Sequence, residues 1–257
     1  MISFWHWHNE PLLVGSIVLY LWFYLVLIGP FRIKLGSFKY PVKCLLWQIV
    51  AVATFYIAIG SPLDALGENF LFSAHMLQHN MLMYLCPLFF ILGIPTWLSD
   101  YLILKLGISR KLLKFLLHPL VSSLLFTLIF SIWHLPYLYE WALRSKPIHI
   151  LEHLTMFAPS ILVWWNISTH SKLIPKLPPG ARMLQMFFIM VGQTPVFACL
   201  AFSSDVLYKT YEYAPRVFDI TPLEDQISGA VVMKLAGMIV ALTVIGLSFR
   251  EWANENN

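Results

Sequence analysis

Two pairs of histidines carry the chemistry open to this chain. His75 and His79 stand four residues apart in HMLQH, and His149 and His153 do the same in HILEH. On a helix, side chains at i and i+4 share a face with Cβ atoms about 5–6 Å apart, close enough for two imidazoles to reach one ion. A fifth histidine, His134, comes just before Pro136, which breaks a helix. At 100° per residue, Cys86 falls within about 20° of His75, with Met83 at the edge of the same face. Imidazole suits copper, zinc, iron and haem, and sulfur beside it shifts the preference toward copper(I). The candidate ligands are therefore His75, His79, His134, His149 and His153, with Met83, Cys86 and Cys199 as soft stations leading into the bilayer. Met76, Met81 and Met156 are also well placed. Glu152, Asp64, Asp225 and Gln226 could orient an imidazole from behind.

The elements holding these residues must be membrane helices. The chain has 257 residues, 59% hydrophobic and only 12% charged, against about 25% charged in a typical globular domain. Its mean hydropathy is +0.72. Apolar spans lie near Pro11–Phe31, Val42–Gly60, Phe72–Leu98, Leu113–His134, Ile148–Ile167, Met183–Phe202 and Ile227–Phe249. Backbone cannot be left unpaired in lipid, so these are expected to be helices. The expectation is an all-α, polytopic integral membrane bundle of seven transmembrane helices in a single domain. The opening MISFWHWHNE has no Lys or Arg, so the first run reads as a retained span rather than a secretory signal.

The loop charges set an orientation. Arg32, Lys34, Lys39 and Lys43 follow the first span; Lys105, Arg110, Lys111 and Lys114 the third; Lys172, Lys176 and Arg182 the fifth; Arg250 the last. The opposite loops hold only Arg144, Lys146, Lys209 and Arg216. The positive-inside bias predicts the N-terminus outside and the C-terminus inside. It also explains the net charge of +4 without a nucleic-acid partner. All five candidate histidines then lie near the outer face, with His6 and His8 in the outer N-terminal segment and His118 and His170 on the inner side. Lys234, about two turns into the last span, needs a partner, for which Asp225, Glu224 and Glu152 are candidates. Three scattered cysteines, Cys44, Cys86 and Cys199, give no disulfide framework.

Two other chemistries fit the same residues. His149-Ile-Leu-Glu152-His153 matches H-x-x-E-H, which reads as a membrane zinc hydrolase with Glu152 as general base. A b-type haem clamped by histidines of two helices is the second alternative.

Beyond the pairs themselves, HMLQH at His75–His79 with Pro87 and GIP at Gly93–Pro95, WHLP at Trp133–Pro136 with Tyr139, IHILEHL at Ile148–Leu154 with Trp164–Trp165, and EDQISGAVVM at Glu224–Met233 together resemble the CtaG family of caa-type cytochrome c oxidase assembly factors. Asn80, where a methionine commonly follows the second histidine, and Gly229–Ala230, for a more usual Gly–Gly, depart from that pattern. The resemblance implies a multi-pass protein of the bacterial plasma membrane that helps form active oxidase by handling copper. It implies an oxidase subunit or a copper chaperone as partner, a non-catalytic role, and His75, His79, His134, His149 and His153 as the site.

Overall fold

The computed structural model describes residues 7–35, 37–105, 107 and 109–255, and among them there is no strand. His6 lies outside the described residues. In order, the helices are α1 (Pro11–Val26), α2 (Arg32–Lys34), α3 (Val42–Gly60), α4 (Pro62–Asn69), α5 (Phe72–Asn80), α6 (Cys86–Leu92), α7 (Thr96–Lys105) and α8 (Arg110–Leu116). Then come α9 (Pro119–Trp133), α10 (Pro136–Arg144), α11 (Lys146–Ser168), α12 (Pro179–Gly192), α13 (Thr194–Ala201), α14 (Lys209–Glu212) and α15 (Pro222–Glu255). Prolines explain many of these starts, because a residue without an N–H costs nothing in the first turn.

Among the described residues, four helical stretches are long and apolar enough to cross a membrane: Pro11–Lys34, Val42–Gly60, Pro179–Ala201 and Pro222–Glu255. The count rises to six if each of two bent pairs is one span, Phe72–Leu92 with Thr96–Lys105 (bent 99°) and Arg110–Leu116 with Pro119–Trp133 (63°). The 23-residue α11, expected as the fifth span, is long enough but not in this group. Its His149, Glu152, His153 and Asn166 lower its hydropathy, and all four are polar side chains turned toward other helices rather than a uniformly apolar surface.

The core is built where α5, α9, α11, α12 and α15 meet. Phe72, Met76, Phe126, Phe130, Met156, Val163, Met186 and Met233 are among its buried members. α5 and α12 each pack against α15, and α11 packs against α9. The outward faces of α1, α3 and α15 expose large apolar residues such as Trp22, Leu46 and Leu242, which suits lipid rather than water.

Helix interruptions occur beside prolines, and polar side chains from other helices bond to carbonyls there. Between α5 and α6 the chain widens into a π-helical turn over Met81–Leu85. Pro87 cannot bond the Met83 carbonyl and its ring would crowd it, so the turn widens there. The Trp164 indole of α11 donates to that carbonyl at 3.3 Å. At the break between α12 and α13, Lys234 donates to the Met190 carbonyl (3.1 Å) and to Thr194 Oγ1 (2.8 Å). The partners of this intramembrane lysine are therefore a carbonyl and a hydroxyl of a broken helix, with the Phe197 ring 5.8 Å away, not one of the three expected carboxylates.

Candidate metal centre

Three helices deliver the imidazoles, and each is placed by contacts the sequence requires. α5 begins at Phe72 with no cap from its own neighbouring residue. Its first amides go instead to Asp225 of α15, which accepts from Phe72 N (2.6 Å), Ser73 N (3.2 Å) and Ser73 Oγ (2.5 Å). A carboxylate at a helix N-terminus satisfies orphan donors and meets the positive end of the dipole. Gly229 lets α15 come this close: a Cβ there would stand 2.4 Å from Phe72 Cδ1. Gly67 does the same for α4, where a Cβ would meet the His75 Cα at 3.0 Å. Trp133 at the end of α9 donates to Thr155 Oγ1 of α11 at 2.8 Å, joining the other two histidine-bearing helices.

The result is a compact group. One potential ligand atom from each of His75, His79, Glu152 and His153 lies within 4.8 Å of every other. The His75 and His79 rings meet edge to face with centroids 4.2 Å apart and Nε2 atoms 2.7 Å apart. His153 faces His79 at 5.4 Å, and Glu152 Oε1 lies 3.7 Å from His79 Nε2. A tetrahedral ion with bonds of about 2.0–2.2 Å spaces its donors roughly 3.3–3.6 Å apart. The observed separations bracket that value, so modest side-chain rotation would seat an ion.

Hydrogen bonding leaves this group incomplete. His79 Nδ1, His153 Nε2 and both oxygens of Glu152 are buried without a hydrogen-bond partner. Each such atom costs about 1–3 kcal/mol, and more if charged. A carboxylate with no donor, facing three imidazoles, is the arrangement a cation would complete. The donor set therefore fits a nitrogen- and oxygen-binding metal ion on its own chemistry.

The other expected residues fall around this group in distinct ways. His134 lies 6.0 Å from His79 between ring centroids, but its Nδ1 donates to the Phe130 carbonyl at 2.7 Å. That fixes Nε2 as the free nitrogen, and it faces the Met76 sulfur at 3.4 Å. His149 sits 5.4 Å from His75 and 4.2 Å from His153, with Nδ1 on Glu68 Oε1 at 2.7 Å and Nε2 buried without a partner. Asp225 caps α5 as described. Gln226 ties down the loop before α14, accepting from Leu207 N (2.7 Å) and donating to Leu200 O (3.2 Å). Both act on the backbone around the site. Met83 is buried in the π-helical turn. Cys86 turns its thiol to Ala51 O of α3 at 3.6 Å, and Cys199 is exposed on α13.

Glu68 and a tyrosine group gain roles that spacing did not reveal, and Asp64, expected to orient an imidazole, stands against His8. Glu68 orients His149, and it does so from a short helix that hydropathy reads only as a loop. Burial alone would push the Glu68 carboxyl up, but the His149 hydrogen bond and Lys146 outweigh it and hold it below its ordinary value. The Asp64 carboxyl is raised by burial and then by Glu68, although Gln78 donates to it at 2.5 Å and His8 stands at 2.7 Å. Tyr139, Tyr208 and Tyr211 pack around Phe72 at one side of the imidazoles. Tyr208 donates to the His134 carbonyl (2.9 Å) and Tyr211 to the Gly67 carbonyl (2.6 Å), so the aromatic group clamps the end of α9 and the α4 segment that abuts His75.

No curated protein and no solved structure matches this chain. A family model described as cytochrome c oxidase caa3 assembly factor (Caa3_CtaG) matches residues 22–255, from the middle of α1 to the last turn of α15. That span includes every helix contributing to the cluster, and the chain belongs to the cytochrome c oxidase caa3 assembly factor family.

Proposed function

We propose that this chain handles copper for the oxidase it helps to assemble, holding the ion among His75, His79, Glu152 and His153. The observation that carries the reading is the convergence of those four ligand groups within 4.8 Å, with buried ligand atoms that have no other partner. Two features favour copper among the ions that imidazole accepts. Met76 Sδ and the free Nε2 of His134 face each other at 3.4 Å beside the group, and a thioether paired with an imidazole suits copper(I). Family membership points the same way, since the enzyme being assembled is an oxidase. In this reading seven helices span a bacterial plasma membrane, the N-terminus and the histidine cluster face outward, and an oxidase subunit or copper chaperone exchanges the ion.

Four ligand groups within 4.8 Å of one another favour a single ion as the occupant. A zinc hydrolase is a second reading because both Glu152 oxygens, next to His153, have no hydrogen bond. Metal analysis of the purified full chain separates these readings. The copper reading expects bound copper that falls to background in His75→Ala and His153→Ala. Zinc retained in Glu152→Gln, with loss of a hydrolytic activity, would support the hydrolase instead. Copper content unchanged by both histidine substitutions would overturn the site.

A further inference from the structure

Beside the cluster, a cleft of about 220 Å³ opens between the N-terminal segment, α4 and the start of α11. His8, Glu10, Asp64, Glu68, Lys146, His149 and His153 are among its polar lining. Two of its three carboxylates each hold one imidazole: His8 Nδ1 is 2.7 Å from Asp64 Oδ2, and His149 Nδ1 is 2.7 Å from Glu68 Oε1. With Nδ1–H committed to Glu68, the His149 Nε2 keeps its lone pair, and it is buried with no partner. His149 is only 4% exposed. Its ring lies between the cleft carboxylates and His153, 4.2 Å from the latter, and His153 belongs both to the cleft and to the ligand group.

We propose that this cleft is the entry vestibule for a divalent cation, in which Asp64 and Glu68 draw the ion in and His149, through Nε2, passes it to His153 and the inner group. This rests on the metal reading above. The vestibule offers oxygen and imidazole donors, which suit a divalent copper or zinc ion. A carboxylate-lined mouth in a low-dielectric wall also concentrates cations and raises their capture rate. Lys146 opposes this: its ammonium is 3.8 Å from Glu68 Oε1 and half exposed, so it competes with an incoming ion.

The test follows the time course of copper(II) and zinc(II) uptake by the detergent-solubilised full chain, together with the amount bound at saturation. Asp64→Asn and Glu68→Gln should each slow uptake by about tenfold, without a matching fall in the amount bound. Lys146→Gln, an exposed change that removes no buried carboxylate, should speed it. Added salt should slow the wild type more than the Asp64→Asn/Glu68→Gln double variant. Unchanged uptake rates in these variants, with normal wild-type loading, would overturn the vestibule alone. A wild-type chain that binds neither ion would remove the inner centre and the route with it. A Lys146→Gln chain that loads no faster would also count against the route.

Discussion

Asp225 closes the amino end of the helix that begins at Phe72, accepting its backbone N–H at 2.6 Å across 153 residues of sequence. The helix bearing His75 and His79 is therefore held at its first turn by the last helix of the chain. Their rings can be no better positioned than that cap. Asp225→Ala leaves the Phe72 and Ser73 amides without a partner, and a charge-assisted buried bond of this kind is worth about 1.5–3 kcal/mol. Thermal unfolding in detergent should show that loss, and the metal bound per chain should fall with it. A variant as stable as wild type would contradict the cap.

Gly229 is the steric counterpart of that cap. A Cβ would sit 2.4 Å from Phe72 Cδ1 and 3.1 Å from Ser73 Cα, so Gly229→Ala must push α15 away from α5. The expected cost is about 1–3 kcal/mol by overpacking. The neighbouring Ala230 is fully buried already, so the same side chain is accommodated one residue away. Comparing the thermal stability of Gly229→Ala with that of Ala230→Gly checks this. The first should be the more damaging.

Trp164 takes the carbonyl that Pro87 frees. Trp164→Phe keeps an aromatic ring, though a smaller one, and removes the indole N–H that meets Met83 O at 3.3 Å. The expected loss is about 1–2 kcal/mol, since in a membrane no water replaces the donor. Pro87→Ala restores an N–H and should make Trp164→Phe cheaper. A double-mutant cycle on unfolding free energy measures that coupling, and additivity of the two changes would contradict it.

Much of this was legible in the residues. The i, i+4 spacing of His75 and His79 requires a shared face, and their rings are 4.2 Å apart. The all-helical class followed from apolar runs that must pair their own backbone. What spacing cannot encode is which way a ring turns once it finds a local partner. His134 is held by the carbonyl of Phe130, four residues back on its own helix. His149 is held by Glu68 from α4. That short helix carries Asp64, Glu68 and Asn69 among few apolar residues, so hydropathy passes over it. The partners of Lys234 were hidden for a similar reason: Met190 O and Thr194 Oγ1 are seen to face it only once the break between α12 and α13 is located.

Glu152 is the residue on which the chemistry turns, with both oxygens buried and without a hydrogen bond and only His79 Nε2 at 3.7 Å as a charge partner. Glu152→Gln removes the charge that would balance a cation while keeping the shape. Copper affinity should fall by about tenfold or more, and the apo protein should become no less stable, because an uncompensated carboxylate has been replaced by a neutral amide. Metal titration and thermal unfolding of the apo form check the two halves separately. An apo protein destabilised by this change would mean that the carboxylate already has a partner.

The most direct measurement is X-ray absorption at the copper edge on the full chain loaded with copper, alongside its metal count. A single copper ion per chain, with imidazole nitrogen in its first shell and that signature lost in His75→Ala, is the predicted result. Copper absent from the wild type, or bound with the same spectrum when His75 and His153 are both replaced, would contradict it.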